Sequence, residues 1–147
     1  MAVNDESERK IELAKEYFRR GDAGRSDVVE LFTEDFQFYF PKFGIKRGKG
    51  ALFDMVSGFT DVLASIKHDF TNYNFIPAGS LLAVEGTTEG TMTDGKAWSG
   101  GQTPGGRFCN VFEFRGDLIC RIHVYLDPDY TGEDEARFRW GRDAREW

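Results

Sequence analysis

The residues best suited to chemistry lie in two short stretches. In Phe108-Cys109-Asn110-Val111-Phe112-Glu113-Phe114 an extended backbone puts every second side chain on one face, so Asn110 shares its face with Phe108, Phe112 and Phe114. An amide in that company costs about 1 to 3 kcal/mol if it finds no hydrogen-bond partner, so a neighbour, a water or a ligand must satisfy it. The second stretch begins at His68, one of 2 histidines in the chain. An imidazole there either moves protons near neutral pH or simply caps the end of a strand. Together they offer an amide in need of a hydrogen-bond partner and an imidazole able to carry a proton.

Other polar candidates are weaker. Glu85 alternates with small residues in Val84-Glu85-Gly86-Thr87-Thr88 and is expected to point outward. With pairing centred on Gly116, Asn110 falls near Ile122 and Phe108 near Val124. That register turns Cys120, Ile122, Val124 and Leu126 inward and leaves Arg121, His123 and Tyr125 on the convex face. Cys109 and Cys120 then lie on opposite faces, which no disulfide can span without moving the backbone. Asp127 precedes Pro128, where it caps a turn. Neither cysteine nor histidine has metal-ligand spacing, so no metal is expected.

The elements that position these groups follow from periodicity. Ile11, Ala14, Tyr17 and Phe18 recur at helical spacing between Asn4 and Arg20, with Gly21-Asp22 as the stop. Ser26 is expected to cap a short helix over 27–32, and a strand Phe36–Phe40 ends at Pro41. A glycine-rich connection, 44–50, leads to a helix over 51–66, whose stripe Leu52, Met55, Val56, Phe59, Val62 and Leu63 implies one buried face. Strands are expected at 68–77, 81–92, 106–114 and 118–126. Asp94 to Gly106 reads as a mobile loop in which Trp98 either closes over a ligand or packs on the surface. From Thr131 the acids precede arginines, as in a final helix carrying Ala136, Trp140 and Ala144.

Val29-Glu30-Leu31-Phe32-Thr33-Glu34-Asp35-Phe36, with Arg107 to Pro128 and its Arg121-Ile122-His123-Val124-Tyr125-Leu126-Asp127-Pro128, resembles the nuclear transport factor 2-like superfamily, in its SnoaL-like and ketosteroid-isomerase-like branch. The resemblance covers nearly the whole chain. It implies an α+β domain over 1–147, a cone of curved antiparallel sheet packed on N-terminal helices, with a helical tail. It also implies cofactor-free isomerisation, cyclisation or dehydration of an apolar cyclic carbonyl compound. The family's general base matches Phe40 here, and its first-helix tyrosine matches Ala14, with Tyr17 nearly a turn further on. Its second oxyanion donor matches Asn110, and the last-strand acid of the epoxide hydrolase branch matches Val124. Without those acids, a carrier or a dimeric interaction module is the alternative to an enzyme.

The expected site therefore joins Asn110 and His68 as catalytic groups with Phe40, Trp98, Phe108, Phe112, Val124 and Tyr17 as ligand-binding walls. Relatives of this fold often dimerise through the convex sheet face, so a homodimer is expected. A net charge of −6 disfavours a nucleic-acid surface, which needs clustered Lys and Arg. There is no apolar run long enough for a membrane span and no basic-then-apolar leader pattern, so the expected location is cytoplasmic.

Overall fold

The computed structural model describes residues 2–138 and 145–147. Among the described residues two α-helices, α1 (Ala2–Asp22) and α2 (Ala51–Phe59), accompany eight strands: β1 (Phe32–Phe40), β2 (Gly44–Arg47), β3 (Leu63–His68), β4 (Asn74–Ala78), β5 (Leu81–Met92), β6 (Ala97–Ser99), β7 (Arg107–Arg115) and β8 (Leu118–Leu126). They form one curved sheet in the order β2-β1-β8-β7-β5-β3, with β4 and β6 also paired to β5. Every pairing is antiparallel except β1 with β8. The fold is α+β, as expected.

Alternation fixes the inner face. Phe36, Phe38 and Phe40 on β1, Phe108, Asn110, Phe112 and Phe114 on β7, and Ile119, Ile122 and Val124 on β8 are all buried. Ala14 and Phe18 of α1 pack against them, and each such phenylalanine contributes about 1.5 to 3 kcal/mol. Phe32 and Phe36 stack at 3.9 Å where a bulge in β1 lets both turn inward.

The β7–β8 register differs from the expected one by two residues. Asn110 lies opposite Val124 and Phe108 opposite Leu126. The turn uses two residues, Gly116 and Asp117, with Gly116 at φ +62°, which shifts the pairing by one. A bulge between Glu113 and Phe114 shifts it by one more. Two shifts restore the original facing, so Ile122, Val124 and Asn110 still look inward, while Cys120 becomes the extra residue and bonds its thiol to the Glu113 carbonyl. Both cysteines are free, and burial raises both thiols above the ordinary range.

Several boundaries move for identifiable reasons. Helix α1 runs through Asp22 and stops at Gly24, whose φ is +65°. Arg25 N–H donates to the Arg20 carbonyl and Gly24 N–H to that of Gly21, the paired bonds of a Schellman end. Arg25, not Ser26, flanks the next segment, a 3₁₀ helix Ser26–Leu31 with no side-chain cap. The glycine-rich 44–50 connection contains β2, paired to β1. The helix expected over 51–66 ends at Phe59, and Leu63 onward pairs with β5 instead. Val62 is consequently exposed. The strand expected over 68–77 is broken by the 3₁₀ turn Phe70–Asn72, where the Asp69 carboxylate accepts from Thr71 and Asn72. In the tail a 3₁₀ turn, Glu135–Arg137, replaces the start of the expected helix; Trp140 and Ala144 lie outside the described residues. No helix of the described residues is long and apolar enough to cross a membrane.

Candidate functional site

Between α1, α2, β3 and the concave sheet face lies a cavity of about 500 Å³, a size suited to a small organic ligand. Its apolar wall includes Phe18, Phe38, Phe40, Phe59, Phe108 and Val124. The polar groups facing it are few: Tyr17, Asp22, Ser65, His68, Thr88, Asn110 and Tyr130 among them, with no Lys or Arg in the lining among the described residues. A broader and more open groove of about 620 Å³ on the outer face is lined by groups such as Asp69, Glu85, Arg107 and Cys109. Its openness and mixed charge make it a poorer place to desolvate an apolar molecule, so the inner cavity is the candidate site.

Asn110 projects from the middle of β7 and is 4% exposed. Its Oδ1 is shut off from solvent with no hydrogen-bond partner among the described residues, a rare state for a buried amide. Tyr17, on α1, has its ring against Phe18, Phe32 and Phe112 at 5.3 to 6.2 Å. Burial pushes its phenol well above the usual range, so the hydroxyl stays protonated and can donate.

His68 ends β3 at the cavity wall, its ring 5.0 Å from Phe18 and 5.7 Å from Phe108. The final turn of α1 brings Asp22 to it. One carboxylate oxygen accepts the His68 backbone N–H at 2.8 Å, and the other lies 2.6 Å from Nδ1. Asp22 was not singled out from the sequence, because its partner is 46 residues away and no local spacing links them. Tyr130, Phe18 and Phe59 were missed for the same reason. The Asp127-Pro128 turn, in which Asp127 accepts from the Asp129 N–H, returns the chain so that Tyr130 reaches the wall.

Two expected wall residues lie elsewhere. Phe112 is wholly buried beneath Tyr17 and Phe18 and does not line the cavity. Trp98 is on β6, 2% exposed, and does not line the cavity. Its indole N–H donates to Thr88 Oγ1 at 3.0 Å and its ring lies 4.5 Å from Tyr130, so it braces the cavity wall from behind. The neighbouring glycines serve close packing: Gly106 takes φ +101° and its carbonyl accepts the Thr88 N–H at 2.7 Å. Phe40, Phe108, Val124, Tyr17, His68 and Asn110 do line the cavity.

Glu85 is exposed on the outer face, paired with Asn74. His123 also faces outward, where Gln37 Nε2 lies 2.9 Å from its Nε2. Burial, with Arg121 adding to it, lowers the His123 imidazole below its ordinary value.

A family model, the SnoaL-like domain, matches residues 14–122, and the chain belongs to that family. Among solved structures it is similar to a nuclear transport factor 2-like protein of unknown function from Burkholderia pseudomallei, with 15% identity, TM-score 0.68, and coverage of 81% of this chain and 91% of that one. It is also similar to a protein provisionally assigned as a polyketide cyclase from Xanthomonas campestris, with 16% identity, TM-score 0.69, and coverage of 82% and 91%. A third, provisionally assigned as an isomerase, comes from Bacillus subtilis, with 18% identity, TM-score 0.66, and coverage of 88% and 94%. At such identities the likeness establishes the nuclear transport factor 2-like fold alone. No curated protein matches the sequence.

Proposed function

We propose that this chain is a single SnoaL-like domain that binds a neutral, apolar, cyclic carbonyl compound and moves a proton on it without a cofactor, as an isomerase, cyclase or dehydratase would. The observation that carries the reading is the buried amide of Asn110 in a largely apolar cavity wall, its Oδ1 without a hydrogen-bond partner among the described residues. An amide N–H turned to a ligand carbonyl, supported by the protonated Tyr17 hydroxyl, stabilises negative charge that develops on the oxygen. His68 is the proton carrier. The provisional names of the Xanthomonas and Bacillus neighbours agree with this reaction class.

A carrier function is the second reading, favoured because Phe40 and Val124, which stand where relatives place acids, are both apolar walls here. The two are separated with 2-tetralone, a bicyclic ketone with acidic C–H bonds beside its carbonyl. The enzyme reading expects saturable binding together with faster exchange of those hydrogens for deuterium in D2O. Binding with exchange at the buffer rate supports the carrier, and no binding removes both.

The lining also sets a charge preference. Without a cationic side chain to pair with it, a buried carboxylate costs several kcal/mol. Methyl 2-naphthoate is therefore expected to bind about 10²-fold more tightly than 2-naphthoate at pH 8, as read by titration calorimetry.

The convex face fits a second copy of the chain. Tyr39, Val111, His123 and Tyr125 present half-exposed aromatic and apolar surface there, with Tyr39 5.7 Å from the rings of both His123 and Tyr125 and Tyr125 50% exposed. Tyr125→Glu would bury an unpaired carboxylate in that dimer and raise its Kd by about 10²-fold or more. Sedimentation velocity checks this; an unchanged sedimentation coefficient means that the face is not the interface.

A further inference from the structure

We infer that Tyr130 gives the cavity a second polar contact, set apart from Asn110, so that the ligand it selects carries a hydroxyl group at the end opposite its carbonyl. This rests on the reading of the cavity as the seat of a cyclic carbonyl compound, of which it specifies the far end.

Tyr130 lies beyond the last strand and outside residues 14–122, the part that matches the family model, so the contact comes from the tail of this chain. The residue is 3% exposed and lines the cavity, yet its hydroxyl has no hydrogen-bond partner among the described residues. Leu63, Phe59 and Leu126 around it have no polar side-chain atom to offer, and the Trp98 indole N–H is committed to Thr88. A buried hydroxyl left in that state is unfavourable, and a ligand oxygen removes the penalty. Burial pushes the phenol well above its usual range, so it keeps its proton and both donates and accepts.

The tail is folded to put the ring there. Asp127 Oδ1 accepts the Asp129 N–H at 2.9 Å, and the Asp129 carboxylate accepts the N–H groups of Glu133 and Asp134 at 2.9 and 2.8 Å. Gly105 admits this turn, because a Cβ there would stand 2.4 Å from the Tyr130 carbonyl oxygen. The Tyr130 ring then rests on Trp98 at 4.5 Å, with Phe59 at 6.2 Å.

Register separates the two contacts. Asn110 lies opposite Val124, whereas Tyr130 packs with Leu126, two residues further along β8 and opposite Phe108. Two residues of strand span about 7 Å. Phe59 and Leu126 pack against both the core cluster that holds Val124 and the one that holds Tyr130, so apolar surface lies between the two polar groups. A bicyclic skeleton with an oxygen at each end fits that order.

The probes are 6-hydroxy-2-tetralone and 7-hydroxy-2-tetralone, which add one oxygen to the far ring of 2-tetralone. The variant is Tyr130→Phe, which removes one oxygen and keeps the ring that packs on Trp98. By titration calorimetry at least one hydroxy ketone is expected to bind the wild type about 5- to 10-fold more tightly than 2-tetralone, and to lose that preference in Tyr130→Phe. A preference that survives the substitution, or no preference in the wild type, overturns the role of Tyr130 and leaves the cavity reading standing. Failure of 2-tetralone itself to bind overturns the cavity reading and this one with it. Should the variant not fold, the crystal structure of the wild type with the tighter hydroxy ketone decides. A ligand hydroxyl at about 3 Å from Tyr130 Oη supports the role, and one turned elsewhere overturns it.

Discussion

Asn110→Leu is expected to make the ligand-free protein more stable and nearly inactive. Leucine removes a buried amide whose Oδ1 has no partner and fills similar space, which recovers about 1 to 3 kcal/mol. For a chain of this size each kcal/mol moves Tm by about 2 to 4 °C, so thermal unfolding should rise by several degrees. The same change deletes the donor to the ligand oxygen. Ketone affinity should fall by about tenfold, and deuterium exchange by about 10²- to 10³-fold, as expected for loss of one oxyanion donor. A stability gain bought with function is the signature of a binding group. If the variant is instead less stable, Asn110 serves the fold and the site argument loses its basis.

The second large effect concerns Trp98. Trp98→Ala removes a ring packed on Tyr130 and an indole donor to Thr88, and large-to-small changes at such sites cost about 3 to 5 kcal/mol. Tm should fall by about 10 °C or more. Both contacts are to cavity-wall residues, so ligand binding should weaken as a consequence of the loosened wall. A variant with wild-type Tm but lost binding would show that Trp98 acts as a lid after all.

How far the sequence could be read depended on whether each signal was local. The inward set on β7 and β8 was legible because alternation survives even a wrong register, provided that the error is even. Here the two-residue Gly116-Asp117 turn and the bulge at Cys120 each contribute one step, and their sum preserves the facing of Asn110. The 51–66 segment misled because Leu52, Met55, Val56, Phe59, Val62 and Leu63 fit a helical stripe. Pairing of β3 with β5 overrides that periodicity after Phe59, a tertiary effect that no window of sequence contains. Glycines between Asp94 and Gly106 signal freedom in the sequence, yet several mark close approach: a side chain on Gly100 would meet Thr87 at 2.6 Å. The site divides in the same way. Asn110, Phe108 and Phe40 announce themselves by face, whereas Asp22 becomes meaningful only when the end of α1 meets the end of β3.

The most direct test is the crystal structure of the complex with 2-tetralone. The account expects the bicyclic ring in the inner cavity beside Phe18, Phe40, Phe108 and Val124, with its oxygen at about 3 Å from the Asn110 amide. A ligand lodged in the outer groove near Glu85 and Arg107, or one seated inside with its oxygen turned away from Asn110, would contradict it.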